Sequence, residues 1–200
     1  MRKKIAIDID EVIVPLAEPV IEYVLGASGK RVTAVELYSP PGRTMASGLP
    51  EEEFIRLVLE YQLHESSLDV GPVDGVLENL SRLSKTHDII FVTSRDPQLE
   101  TITHRWFDRH MQGLPFDRNI VFVGNPYTGS ENKGKIDVCK ELGAEWFIDD
   151  HPKYVDQLIG SSVRGMLFGD YDWNRHHAGD HFVRVVDWDG VVNAIKGRLV

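Results

Sequence analysis

Four short stretches of this chain of 200 residues carry side chains that could act together on a phosphoryl group. Asp8 and Asp10 stand two residues apart in "KKIAIDIDEVIV", and Asp149 and Asp150 close "EWFIDD". Thr93, Ser94 and Arg95 end "FVTSR", while Lys133 and Lys135 fall in "NKGKID". An ionised carboxylate buried without a partner costs several kcal/mol or takes up a proton. Acids at the ends of apolar runs therefore demand something positive opposite them. If the two acid pairs meet at one rim, protons or a hard cation must neutralise them, and all-oxygen ligands select Mg²⁺ over zinc or copper. Hydroxyl, ammonium and metal together suit a dianionic phosphoryl group. Hydrolysis of phosphate monoesters can require accelerations up to ~10²¹, whereas one acid–base residue supplies about 10²–10⁴. A nucleophile, a metal and a cation acting together are expected. Each piece also has a plain structural reading: a strand-terminal Asp as a turn former, Thr93 as a β-former, Lys133 or Lys135 as a solvated loop cation. The order D-x-D, T-S-R, K, D-D, each at an expected sheet edge, favours the joint chemical reading.

The elements that must position these groups are legible as apolar runs. "KIAIDI" (4–9), "DIIFVTS" (88–94), "NIVFVG" (119–124), "EWFIDD" (145–150), "RGMLFG" (164–169) and "FVRVVD" (182–187) read as buried strands. In an extended strand Ala6, Asp8 and Asp10 share a face, with the two acids ~7 Å apart. Between the strands, "VDGVLENLSRLSKT", "PQLETITHRWFDRHM" and "GKIDVCKELGA" carry helical periodicity, and Gly143 reads as a helix stop. This alternation predicts an α/β, doubly wound, Rossmann-like parallel sheet with helices on both faces. Residues 15–72 break the rhythm. They hold two helical stretches, "LAEPVIEYVLGAS" and "PEEEFIRLVLEYQLHE", around a turn-rich piece, "LYSPPGRTMASGLP". The expectation is a core domain from 1–14 and 73–200, with 15–72 as a small helical cap over the C-terminal sheet edge, where ligands bind in open α/β sheets.

Composition narrows the class of partner. Apolar content of 42% and charged content of 26% are ordinary for a soluble globular chain. The excess of acids gives a net charge of −9, which disfavours a polymeric nucleic acid as partner but leaves a small phosphate ester open. The single cysteine, Cys139, cannot form an internal disulfide and reads as a small core residue, which suits a cytoplasmic location. The first apolar run meets acids too early for a signal peptide, and no run approaches the ~20 apolar residues of a membrane helix.

With those residues in place, the chain resembles the haloacid dehalogenase (HAD) superfamily of phosphohydrolases. "DIDEV" resembles its first motif, "FVTS" its second, Lys135 or Lys133 its third and "FIDD" its fourth. More narrowly, "GPVDGVLENLSRL", "KIDVCKELGAEWFIDDHP" and "LFGDYDWNR" followed by "VVDW" are similar to segments of the cytosolic type C 5′-nucleotidases, the 5′(3′)-deoxyribonucleotidase group. The resemblance implies a Mg²⁺-dependent phosphomonoesterase acting on (deoxy)nucleoside monophosphates. It implies Asp8 as nucleophile, forming an aspartyl-phosphate, and Asp10 as the acid and then the base. It implies Mg²⁺ on the Asp8 carboxylate, the Asp10 carbonyl and Asp150, with Asp149 beside them, and substrate contacts from Thr93, Ser94 and Lys135, with Lys133 as the alternative lysine. Arg95 would touch either the substrate or the acid cluster. The chain departs from the group at Leu16, where an aromatic residue would help stack a base, and at Glu11, an extra acid with no assigned role. Tyr38, Phe54 and Tyr61 either provide a base platform instead or simply pack the cap. His151 either orients the acids or caps a helix. His176, His177, Asp180 and His181 match no strong zinc pattern, and Trp173 and Trp188 are expected to pack the C-terminal helix on the sheet. A homodimer is compatible with all of this. The competing classes are a phospho-acceptor signalling domain, which would lack the helical insertion and the final acid pair, and a non-catalytic phosphate-binding protein, which would have no need of clustered acids.

Overall fold

Alternation of apolar side chains along each strand builds the central layer. The computed structural model describes residues 2–115, 119–124 and 133–197. Among them lie strands β1 (Lys3–Ile7), β2 (His87–Thr93), β3 (Asn119–Phe122), β4 (Ala144–Asp149), β5 (Arg164–Phe168) and β6 (Phe182–Val185). They form one six-stranded sheet in the order β3-β2-β1-β4-β5-β6, with every adjacent pair parallel. Ile5 and Ile7 of β1, Ile89 and Phe91 of β2, and Trp146 and Ile148 of β4 face one apolar cluster. Ala6, Ile90, Val92 and Phe147 face the other. A strand buried on both faces needs this continuous apolar run, and helices must cover each side.

They do so unequally. Helices α5 (Val76–Leu83), α6 (Glu100–His110) and α9 (Trp188–Ile195) supply Leu80, Trp106, Phe107, Trp188 and Val191 to the larger cluster. Helix α7 (Lys135–Glu141) supplies Ile136, Val138 and Cys139 to the smaller one, with Tyr154 of the short helix α8 (Pro152–Asp156) packed against it. Cys139 is fully buried, as its sequence context suggested, and burial lifts its thiol to about 12, so it stays an inert core group. The chain reverses winding direction at β1, so β1 and β4 splay their connections apart at their C-terminal ends. That is where an open α/β sheet forms its binding crevice.

Residues 17–63 form helices α1 (Ala17–Ser28), α2 (Ala34–Leu37), α3 (Pro40–Ser47) and α4 (Glu51–Leu63). Their apolar residues make a third cluster, built from Leu16, Val20, Val24, Phe54, Tyr61 and neighbours. The piece expected to be turn-rich is a correction: "PPGRTMAS" is helical. Ser39 caps it by accepting from the Gly42 N–H, Pro40 occupies the first helical position, and Gly48 ends it with φ 72°. A proline at that position is favoured because its missing N–H would be unpaired anyway.

Glu11 joins this helical layer to the sheet. It is the only non-glycine with positive φ among the described residues, at 62°. Its buried carboxylate accepts from the backbone N–H of Leu16 at 2.7 Å and of Ala17 at 2.5 Å, the first donors of α1. Leu16, at the N-cap position, offers no side-chain acceptor of its own. The acid without a catalytic counterpart is therefore a helix cap supplied from outside the helix. Replacing Glu11 with Ala should lower stability by about 1–3 kcal/mol, the cost of a lost cap and two orphaned buried donors. Glu11→Gln, which retains an acceptor oxygen, should lose less than half as much in urea unfolding. Equal losses in the two variants would contradict the capping role.

Candidate active site

The C-terminal ends of β1, β2 and β4 and the start of α7 bring the predicted groups to one place. Asp8 follows β1 and continues its pairing, its N–H donating to the Ile148 carbonyl at 2.9 Å. Because Asp8 lies on the face of Ala6, its carboxylate points toward the side covered by α7. Lys135 opens that helix. Its Nζ lies 2.7 Å from Asp8 Oδ2 and 2.8 Å from Asp149 Oδ2, and only 3% of the side chain is exposed. The ammonium also sits 4.3 Å above the Tyr154 ring. Asp149 is engaged at both oxygens, since Oδ1 accepts the His151 N–H at 2.8 Å. Asp150 Oδ2 accepts from Trp173 Nε1 at 2.8 Å, and its carbonyl accepts from the fully buried Asn174 side chain.

The remaining predicted groups divide. Thr93 is fully buried at the end of β2, its Oγ1 accepting from the Arg95 N–H. Ser94 Oγ lies 3.2 Å from the Tyr154 hydroxyl. Arg95 reaches the acids: its guanidinium meets Asp10 at 2.6–3.2 Å. Lys133 stays outside, paired at 3.5 Å with exposed Glu141, so the structure brings Lys135 and not Lys133 to the acids. Only Gly134 separates them, and only the lysine that starts α7 turns inward.

Electrostatics follow from three buried carboxylates meeting one ammonium. Burial, together with Asp149 and Asp10, outweighs Lys135 and pushes the Asp8 carboxyl up to about 7. Burial, with Asp149 and Asp8, lifts Asp150 well above the usual carboxylate range. Burial opposes the Lys135 charge, but Asp149 and Asp8 prevail and raise its pKa above the ordinary lysine value. Carboxylate oxygens of Asp8, Asp149 and Asp150 all lie within 4.8 Å of one another. An oxygen-only donor set with uncompensated charge fits a hard divalent cation such as Mg²⁺.

A cleft of about 450 Å³ opens over this cluster, lined by Asp8, Asp10, Tyr38, Arg43, Lys135 and Asp150 among others. Beside it, a mainly apolar recess of about 160 Å³ runs into the helical layer past Leu16, Val20, Tyr38, Phe54 and Val58. Of the aromatic candidates, Tyr38 faces the cleft, Phe54 lines the recess, and Tyr61 packs against Tyr23 at 5.5 Å. Trp188 does pack α9 into the core, its Nε1 donating to the Val12 carbonyl. Trp173 is a correction. Rather than packing α9, it stacks on Tyr171 at 4.5 Å, meets Tyr38 at 4.8 Å and holds Asp150. His151 caps α8, accepting from the Lys153 N–H, and it is its backbone that touches Asp149. His177 and His181 both bond Asp156 Oδ1, away from the acids. Sequence reasoning missed Asn174, Tyr154 and Thr103, which hold the acidic and basic groups from other elements; "DYDWNR" was visible only as part of a family-like segment.

Comparison with known proteins agrees with this geometry. The family model described as 5′ nucleotidase, deoxy (pyrimidine), cytosolic type C protein matches residues 2–200. The chain is 26% identical over 195 residues to a Staphylococcus epidermidis protein named "Putative 5'(3')-deoxyribonucleotidase", covering 96% of this chain and 95% of that one. It is 23% identical over 136 residues to a protein named a nucleotidase from Clostridium acetobutylicum, covering 68% of this chain and 64% of that one. Its fold resembles a haloacid dehalogenase-like hydrolase from Streptococcus pneumoniae with TM-score 0.69 at 13% identity, over 97% of this chain and 98% of that one.

The raised carboxyls set the pH response of the metal-free protein. Between the ordinary value of 3.8 and about 7 the native state keeps a proton on Asp8 that the unfolded chain has lost. Native stability therefore falls as pH rises across that window, and Asp150 acts in the same direction. A cation that binds only the native cluster stabilises it and replaces those protons. Urea midpoints in EDTA should fall from about pH 5 to about pH 8, and ~10 mM MgCl₂ should reduce the fall. An unchanged profile in Mg²⁺ would contradict the metal fit.

Proposed function

The chain belongs to the 5′ nucleotidase, deoxy (pyrimidine), cytosolic type C family, and from that premise we propose that it is a Mg²⁺-dependent phosphomonoesterase acting on (deoxy)nucleoside monophosphates through Asp8. It is a phosphatase of the HAD type. The observation that carries the finer reading is Lys135, buried between Asp8 and Asp149 with Asp150 alongside, at the floor of a cleft walled by helices.

In this reading the phosphoryl group enters the cleft over Asp8. Lys135 and the hydroxyl of Ser94 bind its oxygens, with Thr93 buried behind them and accepting the Arg95 N–H. A carboxylate oxygen of Asp8 forms the bond to phosphorus as the ester P–O bond breaks, and Asp10 donates its proton to the departing alcohol. Asp10 then takes a proton from water as the water oxygen attacks the aspartyl-phosphate, releasing phosphate and restoring Asp8. When bound, Mg²⁺ supplies positive charge beside the transferring phosphoryl group; Asp8, Asp150 and the Asp10 carbonyl would hold it. Asp149, tied to Lys135 and to the His151 N–H, would orient Lys135 rather than meet substrate. Residues 15–72 serve as the cap. The recess past Leu16 and Phe54 offers an apolar wall for a nucleobase, with Tyr38 at its mouth.

A screen of purified protein against 5′- and 3′-(deoxy)nucleotides and sugar phosphates, with Mg²⁺ and with EDTA, tests this. Phosphate release from at least one nucleotide is expected only with Mg²⁺. Asp8→Asn should abolish it while leaving the circular dichroism spectrum unchanged. Release surviving in Asp8→Asn would overturn the mechanism, and release confined to sugar phosphates would overturn the substrate class.

A further inference from the structure

Arg95 stands in the loop after β2, where a phosphate ligand would be expected, yet its side chain is committed elsewhere. Nε lies 3.0 Å from Asp10 Oδ1 and 3.2 Å from Oδ2, and Nη2 lies 2.6 Å from Oδ1. At its other end Nη1 donates to Thr103 Oγ1 at 2.9 Å, and Thr103 is fully buried in α6. The Arg95 side chain is 8% exposed, against 26% for Asp10. The Asp10 carboxylate is thus held by a planar fork whose far corner is fixed to a helix with no other part in the site.

From this geometry we infer that Arg95 and Thr103 form a strut that aims Asp10 at the leaving-group oxygen, making Arg95 a positioning residue for proton transfer. Oδ1 accepts two of the guanidinium bonds, and Oδ2 only the longest. Oδ2 is therefore the oxygen that exchanges the proton with alcohol and water. Two features of arginine matter here. Its rigid fork can grip a carboxylate and a third group at once, which the single ammonium of lysine cannot do. Its pre-organisation also fixes Asp10 without substrate, and a displacement of about 1 Å at such a group can cost ~10²-fold in rate.

The inference rests on Asp10 being the proton donor, and the test separates the two. First-turnover release of the leaving group is measured, in Mg²⁺, for a nucleoside monophosphate and for p-nitrophenyl phosphate. The nucleoside departs only with a proton, whereas p-nitrophenolate departs without one. For Arg95→Met the nucleoside-to-nitrophenol rate ratio should fall by about tenfold or more, part of the 10²–10⁴ that general acid catalysis supplies. Thr103→Val, which touches no substrate and keeps the side-chain volume, should move the ratio the same way by a smaller factor. Arg95→Lys should recover only part of the loss. If Arg95→Met slows both esters equally, or Thr103→Val leaves the ratio unchanged, the strut is overturned while Asp10 keeps its role. If Asp10→Asn itself leaves the ratio unchanged, the assignment of Asp10 fails and takes the strut with it.

Discussion

A buried ammonium, Lys135, shared by Asp8 and Asp149, is the contact around which the rest of the structure is arranged. Breaking a buried ion pair by removing one partner costs about 3–5 kcal/mol, yet replacing the whole set with apolar groups is often neutral or stabilising. Such a cluster is therefore poorly explained by stability and well explained by chemistry. Its assembly dictates the topology. Asp8 and Asp149 must leave adjacent strands in the same direction, which the parallel pairing of β1 with β4 provides. Lys135 must arrive from the face on which Asp8 projects, which α7 provides by packing Ile136 and Cys139 on that face. Two flanking apolar clusters then hold the arrangement rigid.

The second constraint is that the helical layer and the site share one loop. Residues 10–14 carry Asp10, and they also carry Glu11, whose carboxylate caps α1. A non-glycine in the left-handed region costs about 1–3 kcal/mol, and here two short hydrogen bonds from backbone N–H groups to the Glu11 carboxylate, and one from the Tyr171 hydroxyl to the Glu11 carbonyl, hold it in place. Tyr171 in turn stacks on Trp173, which holds Asp150 and touches Tyr38 of the helical layer. The positions of the helical layer, of Asp10 and of Asp150 are thus linked through contacts among Glu11, Tyr171 and Trp173.

Much of this was legible in the sequence because local signals and the fold agree. The apolar runs became strands with ends within a few residues of those read from the chain, and each acid stands at a strand end because it cannot stand inside one. What stayed hidden depended on long-range geometry or on a misread local signal. Ser39-Pro40-Pro41-Gly42 reads as a turn by composition, although a capping serine before a proline is also a helix start. Lys133 and Lys135 could be separated only by knowing where α7 begins. Trp173 and Asn174 reach Asp150 from a loop more than twenty residues away, and nothing in "DYDWNR" alone indicates that reach. Arg95 was placed near the site, but its two-ended attachment to Asp10 and Thr103 belongs to the packing of α6.

Direct attack of Asp8 on phosphorus is the step on which the proposed chemistry of the site depends most. The stereochemical course at phosphorus tests that with a nucleoside monophosphate made chiral by oxygen isotopes and hydrolysed in isotopically labelled water. Transfer to Asp8 and then to water comprises two in-line displacements, so the released phosphate should show net retention of configuration. Net inversion would mean that water attacks the ester in a single step, and would contradict the assignment of Asp8 as nucleophile.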